Sequence, residues 1–204
     1  MTSPDHLVLI VDDDYRVREA LRDLLAAAGL CSVAFGSAAE YLAYPKLDIP
    51  ACLILDVELP DINGLDLQRQ IGDGYHPPII FVTGHGNIPS TVRAIKAGAL
   101  DFLTKPISDQ KLLSLVRTAL AHDRERRARQ AVLDSLKEHF HSLTPREREV
   151  LQLVVSGLLN KQAAAHLGIS EVTLQIHRAN VMRKMEADSL ADLVRMAGSL
   201  DIPV

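Results

Sequence analysis

Four places along this chain carry side chains that could do chemistry together. Asp12-Asp13-Asp14 follows the apolar run Leu7–Val11, and Asp56 lies at the end of the apolar run 52–57. Thr83 closes Ile79–Thr83, and Lys105-Pro106 follows Asp101–Thr104. Clustered carboxylates repel one another and coexist only with a cation. An oxygen-only ligand set suits Mg²⁺, which keeps several waters and takes one or two carboxylates plus a phosphate. A carboxylate beside such a cation can attack a phosphoryl donor, because phosphoryl transfer rests on positioning and charge neutralisation. Lys105 would add a second positive charge, and Thr83 a hydroxyl donor. Singly, each residue has a plain structural use. An Asp after a strand caps a helix or turn, a Lys before Pro is a turn lysine, and Thr ends many strands. Only their joint placement at strand ends favours chemistry.

The elements that must position them alternate in period. The short apolar runs 7–11, 32–35, 52–57, 79–83 and 101–104 read as strands buried on both faces. Between them, Val17, Leu21, Leu24, Leu25 and Ala28 follow helical spacing up to Gly29. Val92, Ile95 and Ala99 repeat that pattern beside Gly98, and Leu112, Val116, Ala119 and Leu120 form a last helix. Five βα units predict an α/β fold with a parallel, doubly wound sheet, whose sites gather at the carboxyl ends of its strands.

The segments VDDDYRVREAL, LILDVELPDINGLDL, IIFVTGHG and ALDFLTKPI resemble the motifs of two-component response-regulator receiver domains over about 120 residues. The resemblance implies a flavodoxin-like (βα)5 receiver over 1–122 with Asp56 as phosphoacceptor. It implies Mg²⁺ (or Mn²⁺ or Ca²⁺ in its place) held by Asp12, Asp13, Asp56 and the backbone carbonyl of Glu58. Asp14 stands where the family often has Glu, so which two of the three acids touch metal is open, with Asp12 and Asp13 preferred. Thr83 and Lys105 would bind phosphoryl oxygens, Phe102 falls at the place of a switch aromatic that swings inward on phosphorylation, and Lys105-Pro106 is expected to be cis. The rival is a phosphohydrolase of the haloacid-dehalogenase type, which also begins with an Asp-rich strand end. It needs a second acidic pair, and 100–122 offers none.

Beyond the receiver, 121–141 lacks Gly and Pro and is dense in alternating charge. It reads as a continuation of the preceding helix, either a solvated spacer or a dimerising or signal-carrying element, with the linker proper at 123–142. A compact all-α module of four helices then covers 143–204. Thr144-Pro145-Arg146-Glu147 is a capping box with Pro at the first helical position. Asn160 is expected to cap the second helix, Ser170 the third, and Asp188 or Ser189 the fourth. The turn Leu167-Gly168-Ile169-Ser170 between the second and third helices has helix-turn-helix spacing. On the third helix, Leu174, Val181 and Met185 share an inward face with His177 at its edge. Gln175, Ile176, Ala179, Asn180 and Arg183 lie opposite. Gln175 can bond adenine, and Ile176 or Ala179 can touch a thymine methyl. Lys161, Arg178, Arg183 and Lys184 are candidate phosphate contacts, and Thr173 and Asn160 are further candidate DNA-binding residues.

LTPREREVLQLVVSGLLNKQAAAHLGISEVTLQIHRANVMRKM resembles the LuxR-type output domain of FixJ- and NarL-class regulators. The resemblance implies a sensor histidine kinase, promoter DNA and RNA polymerase as partners, and a homodimer formed on phosphorylation. Gln175 replaces a common Lys or Arg, and Gln162-Ala163 replaces a common Glu-Ile, a change expected to soften packing of the second helix. Charge agrees with the division. Residues 1–122 carry 10 Lys and Arg against 15 Asp and Glu, whereas 143–185 carry 6 against 3. Aromatic residues are 4% of the chain and Trp is absent, which excludes an aromatic cage or base-stacking platform. Two cysteines form neither a disulfide framework nor a zinc spacing. With no signal-peptide pattern at residues 1–14 and no apolar run of about 18–20 residues, a cytoplasmic protein without membrane contact is expected.

Overall fold

The computed structural model describes residues 4–45, 48–71, 76–84, 88–200 and 202. Its contacts divide the chain into two compact units, Met1–Arg127 and Ala128–Val204.

The first unit is a five-stranded parallel sheet. Its strands are β1 (Leu7–Val11), β2 (Ser32–Phe35), β3 (Ala51–Asp56), β4 (Ile79–Thr83) and β5 (Asp101–Thr104), in the order β2-β1-β3-β4-β5. Strand β3 sits one residue earlier than the apolar run suggests, because Ala51 pairs with Leu7. The helices are α1 (Tyr15–Ala27), α2 (Ala38–Ala43), α3 (Gly64–Ile71), α4 (Ile88–Lys96) and α5 (Asp109–His141). Strand side chains alternate between faces, so the sheet feeds two cores. Leu9, Val11, Leu53, Leu55 and Phe81 pack with Leu65 and Leu67 of α3 and Ala94 of α4. Val8, Ile10, Ile54, Ile80 and Val82 pack with Leu21 and Leu25 of α1 and Leu112, Val116 and Ala119 of α5. Gly29 and Gly98, at φ +73° and +90°, end α1 and α4 in the left-handed conformation that other residues adopt only with strain.

Helix α5 is continuous over 33 residues, as the absence of breakers predicts. Its middle turns are largely exposed, but it is not solvated throughout. Asp123 is fully buried and accepts from the Ala51 amide, and Phe140 near its C-terminus packs on the core of the second unit.

The second unit adds α6 (Pro145–Val155), α7 (Asn160–Leu167), α8 (Glu171–Lys184) and α9 (Leu190–Ser199) around Val150, Leu151, Leu174, Val181, Met185 and Leu193. The Thr144/Glu147 capping box forms as expected, and Ser170 and Ser189 cap α8 and α9. Asn160 does not cap α7. It is the first helical residue, after Leu159, and its Oδ1 accepts from Arg178 Nη1 at 2.8 Å. Gln162 fills the gap by accepting from the Leu159 amide at 3.0 Å, so the departure at this position closes a helix end, while Ala163 is fully buried.

Candidate functional site: an acidic rim and an exposed helix face

The convergence of the acids follows from strand register. Val11 pairs with Leu55, and Asp56 with Val82, so Asp12 and Asp56 leave neighbouring strands side by side. Thr83 pairs with Thr104, and the Lys105 amide donates to the Thr83 carbonyl at 2.8 Å. All four residues therefore reach one edge, where β1 separates β2 from β3 and the strand order reverses. Ligands of open α/β sheets bind at such a switch point.

Asp12, Asp56 and Thr83 are buried, and Asp13 is exposed above them. Lys105 Nζ donates to Asp12 Oδ2 at 2.8 Å and to Asp56 Oδ2 at 2.7 Å. Burial raises the Asp12 carboxyl above the ordinary Asp range, against the lowering by its bond to Lys105. Burial alone would lower the Lys105 ammonium, but its hydrogen bonds to Asp12 and Asp56 outweigh that and raise it. Asp12, Asp13 and Asp56 each offer an oxygen, all within 4.8 Å of one another. Three hard oxygen donors this close together fit a divalent cation of the Mg²⁺ kind.

Asp14 has a different task. Its Oδ1 accepts from the Arg16 amide and caps α1, while its own amide donates to Asp12 Oδ1 at 2.9 Å. The third acid of the run thus starts a helix and orients the first. The Glu58 amide donates to Asp56 Oδ1 at 2.9 Å. Phe102 is already buried, with its ring centroid 6.2 Å from that of Phe81. Its ring belongs to the core that also holds Phe81 and Ala94.

Two positioning residues escaped the sequence reading. Arg18 Nη1 donates to the carbonyls of Asp12 and Asp13, at 2.7 and 2.9 Å, and holds the acidic turn from α1. Gly64, at the start of α3, lies so close that a Cβ there would stand 2.3 Å from the Asp56 carbonyl oxygen. In sequence, the pair Asn63-Gly64 reads only as a turn. Gly64→Ala is expected to displace the end of β3, costing about 1–3 kcal/mol and slowing any chemistry at Asp56. Urea unfolding and phosphate labelling of the variant check this, and wild-type values for both would refute it.

On α8, Gln175, Ile176, Ala179 and Arg183 are exposed and Leu174 and Val181 are buried, as is Met185 just past its end, in agreement with the helical wheel. Asn180 and His177 are half-buried, and Lys161 on α7 is exposed. Four candidates, Arg178, Asn160, Thr173 and Lys184, are engaged within the unit. Arg178 bonds Asn160, and Thr173 Oγ1 bonds Ser170 Oγ at 2.8 Å. Lys184 Nζ pairs with the buried Glu147 at 2.6 Å and donates to the Ser142 carbonyl at 3.1 Å. Among the described residues, no helix is long and apolar enough to cross a membrane.

Comparison with known proteins decides the family. Residues 8–117 match the response regulator receiver domain, and residues 141–197 match the bacterial regulatory proteins of the luxR family. The chain belongs to the response regulators. Nodulation protein W of Bradyrhizobium diazoefficiens is 51% identical over 197 residues, covering 96% of this chain and 87% of that protein. Response regulator protein TodT of Pseudomonas putida is 45% identical, covering 98% and 88%. Among solved structures, the response regulator StyR matches at 45% identity with a TM-score of 0.86, covering 96% of this chain and 99% of that one. Full-length FixJ from B. japonicum matches at 36% identity with a TM-score of 0.58, covering all of both chains. The protein is thus a two-component transcription regulator with a receiver and a LuxR-type DNA-binding domain, which implies a histidine kinase and DNA as partners. The family found is that of the response regulators, not of the phosphohydrolases considered as the alternative. Among the described residues the only three-acid cluster is Asp12, Asp13 and Asp56.

Proposed function

We propose that Asp56 accepts a phosphoryl group from the phosphohistidine of a sensor kinase, and that this controls dimerisation and promoter binding. An Asp56 carboxylate oxygen attacks phosphorus, the P–N bond breaks, and the imidazole nitrogen leaves with the electron pair and takes up a proton. Asp12, Asp13, Asp56 and the Glu58 carbonyl would hold Mg²⁺, which when bound neutralises charge on the transferred group. Lys105 exchanges a carboxylate for a phosphoryl oxygen, and the Thr83 hydroxyl donates to another. The single observation carrying this reading is the lysine that bridges two buried strand-end carboxylates at the switch point. The modification is read through Phe102, buried in this structure, and the exposed Val92 and Ile95 of α4. The receiver is assigned to 1–122, the linker to 123–142 and the DNA-binding domain to 143–204, in a cytoplasmic regulator that contacts RNA polymerase at its promoter.

Gln175, Ile176, Ala179 and Asn180 face bases, while Arg183 and Lys161 meet phosphates. Arg178, Thr173 and Asn160 support that surface from within. The full chain, incubated with acetyl phosphate and Mg²⁺, is expected to gain mass as a dimer and to bind selected duplex DNA more tightly than the untreated chain. A labelled protein with unchanged mass and unchanged DNA affinity would reject the coupling. Within that assay, Gln175→Ala should alter sequence preference by about 1–3 kcal/mol at one base pair. Arg183→Ala should weaken binding evenly and flatten the salt dependence by roughly one unit of slope. An unaltered preference profile in Gln175→Ala would reject the face assignment.

A further inference from the structure

The C-terminal turn of α8 is tied to the start of its domain by one side chain. Glu147 Oε2 accepts from the Thr144 amide at 2.8 Å and from Lys184 Nζ at 2.6 Å, so one buried oxygen serves both the α6 cap and the last residue of α8. The same ammonium donates to the carbonyl of Ser142, the residue just past α5. Side-chain exposure is only 6% for Glu147 and 24% for Lys184. Lys184 also stands where a cation is favoured by the helix dipole. Neighbouring contacts close the same junction. Arg148 of α6 donates to the His141 carbonyl at 3.1 Å and lies over the Phe140 ring, 5.2 Å from its centroid. His139 Nε2 stands 3.8 Å from Glu186 Oε1, just past α8.

By residue type Lys184 is a phosphate contact. We propose instead that it is a positioning residue, which through Glu147 and Ser142 fixes the exposed face of α8 against the last turn of α5. This rests on the reading of α8 as the base-contacting helix. A lysine whose donors meet a carboxylate and a carbonyl inside the domain has little charge left for DNA. It can, however, set the tilt of the helix that carries Gln175. Because its second acceptor follows α5 directly, a shift of that last turn is felt at α8 through the same side chain. A buried, hydrogen-bonded ion pair loses most when one partner is removed, so the loss should appear as misplacement and not as reduced attraction to phosphate.

The test uses the full chain with acetyl phosphate and Mg²⁺. Binding is followed by fluorescence anisotropy on one duplex selected from a randomised pool by the wild-type chain, and on one mixed-sequence duplex, across a salt series. Lys184→Met keeps the apolar stem and removes the donors. It is expected to lose about tenfold or more on the selected duplex, little on the mixed one, and to keep the wild-type salt slope. Lys184→Arg should restore most of the loss. Equal losses on both duplexes with a slope smaller by about one unit would make Lys184 a phosphate contact and overturn the proposal. Glu147→Gln, similar in size and still able to accept from Thr144, tests the same point should Lys184→Met unfold. Positioning predicts weaker selected binding. A direct contact predicts stronger binding to both duplexes and a steeper slope, because the ammonium is released. Failure of Gln175→Ala to change preference would reject the face assignment separately, since the salt slopes of the Lys184 variants are read independently of it.

Discussion

Asp56→Asn is expected to abolish phosphate incorporation from acetyl phosphate and Mg²⁺ while leaving the fold intact. Asn keeps the shape of Asp and an acceptor for the Glu58 amide, so the β3–α3 turn survives. What disappears is the anionic oxygen that attacks phosphorus. The substitution also removes one of the two negative charges that hold Lys105, leaving the ammonium to Asp12 alone. Stability should therefore change little, since relief of the repulsion between Asp12 and Asp56 opposes the loss of the lysine contact. The measurement is stoichiometric labelling, scored by its acid stability and base lability. Undiminished labelling of that kind in the variant would place the acceptor elsewhere.

Asp123→Ala should be among the most destabilising single changes in the receiver unit. Asp123 is fully buried. Its Oδ2 accepts from the Ala51 amide at 2.9 Å and from Arg127 Nε at 2.8 Å, and its Oδ1 accepts from Arg126. Arg126 also reaches the His76 carbonyl, and Arg127 the Asp48 carboxylate at 2.8 Å. One carboxylate thus ties α5 to the first residue of β3. Truncation strands a buried amide and removes the central anion from two half-buried guanidinium groups. Breaking such a pair costs about 3–5 kcal/mol, which for a unit of this size lowers the melting temperature by roughly 10–20 °C. Thermal unfolding followed by circular dichroism measures it. A loss below about 1 kcal/mol would show that the cluster behaves as an exposed surface pair. This network also explains why the compact first unit runs to Arg127. Its charged residues, taken by composition, suggest only a solvated helix.

The sequence by itself determined the elements. Apolar runs of four to six residues marked every strand to within one residue, because a strand covered on both faces has no polar side to interrupt it. Gly29, Gly98 and Gly168 marked helix ends, since each takes a left-handed conformation there. Residue types at strand ends, with the receiver and LuxR-type segments, located Asp12, Asp13, Asp56, Thr83 and Lys105, and the wheel of α8 separated its inward from its outward face.

Only the tertiary structure decided partnership among those residues. Three consecutive acids look alike in sequence, but the cap of α1 uses Asp14 and leaves Asp12 and Asp13 with Asp56 at the rim. Asn160 and Lys184 had the right types for a cap and a phosphate contact. In the packed unit they bond Arg178 and Glu147, 18 and 37 residues away along the chain. The closeness of Gly64 to the Asp56 carbonyl is likewise a contact between backbones. The physical reason is common to all of these. Propensity and periodicity act over a few neighbouring residues. A hydrogen bond or ion pair is chosen by which donors and acceptors burial brings within about 3 Å, and that depends on the whole packed unit.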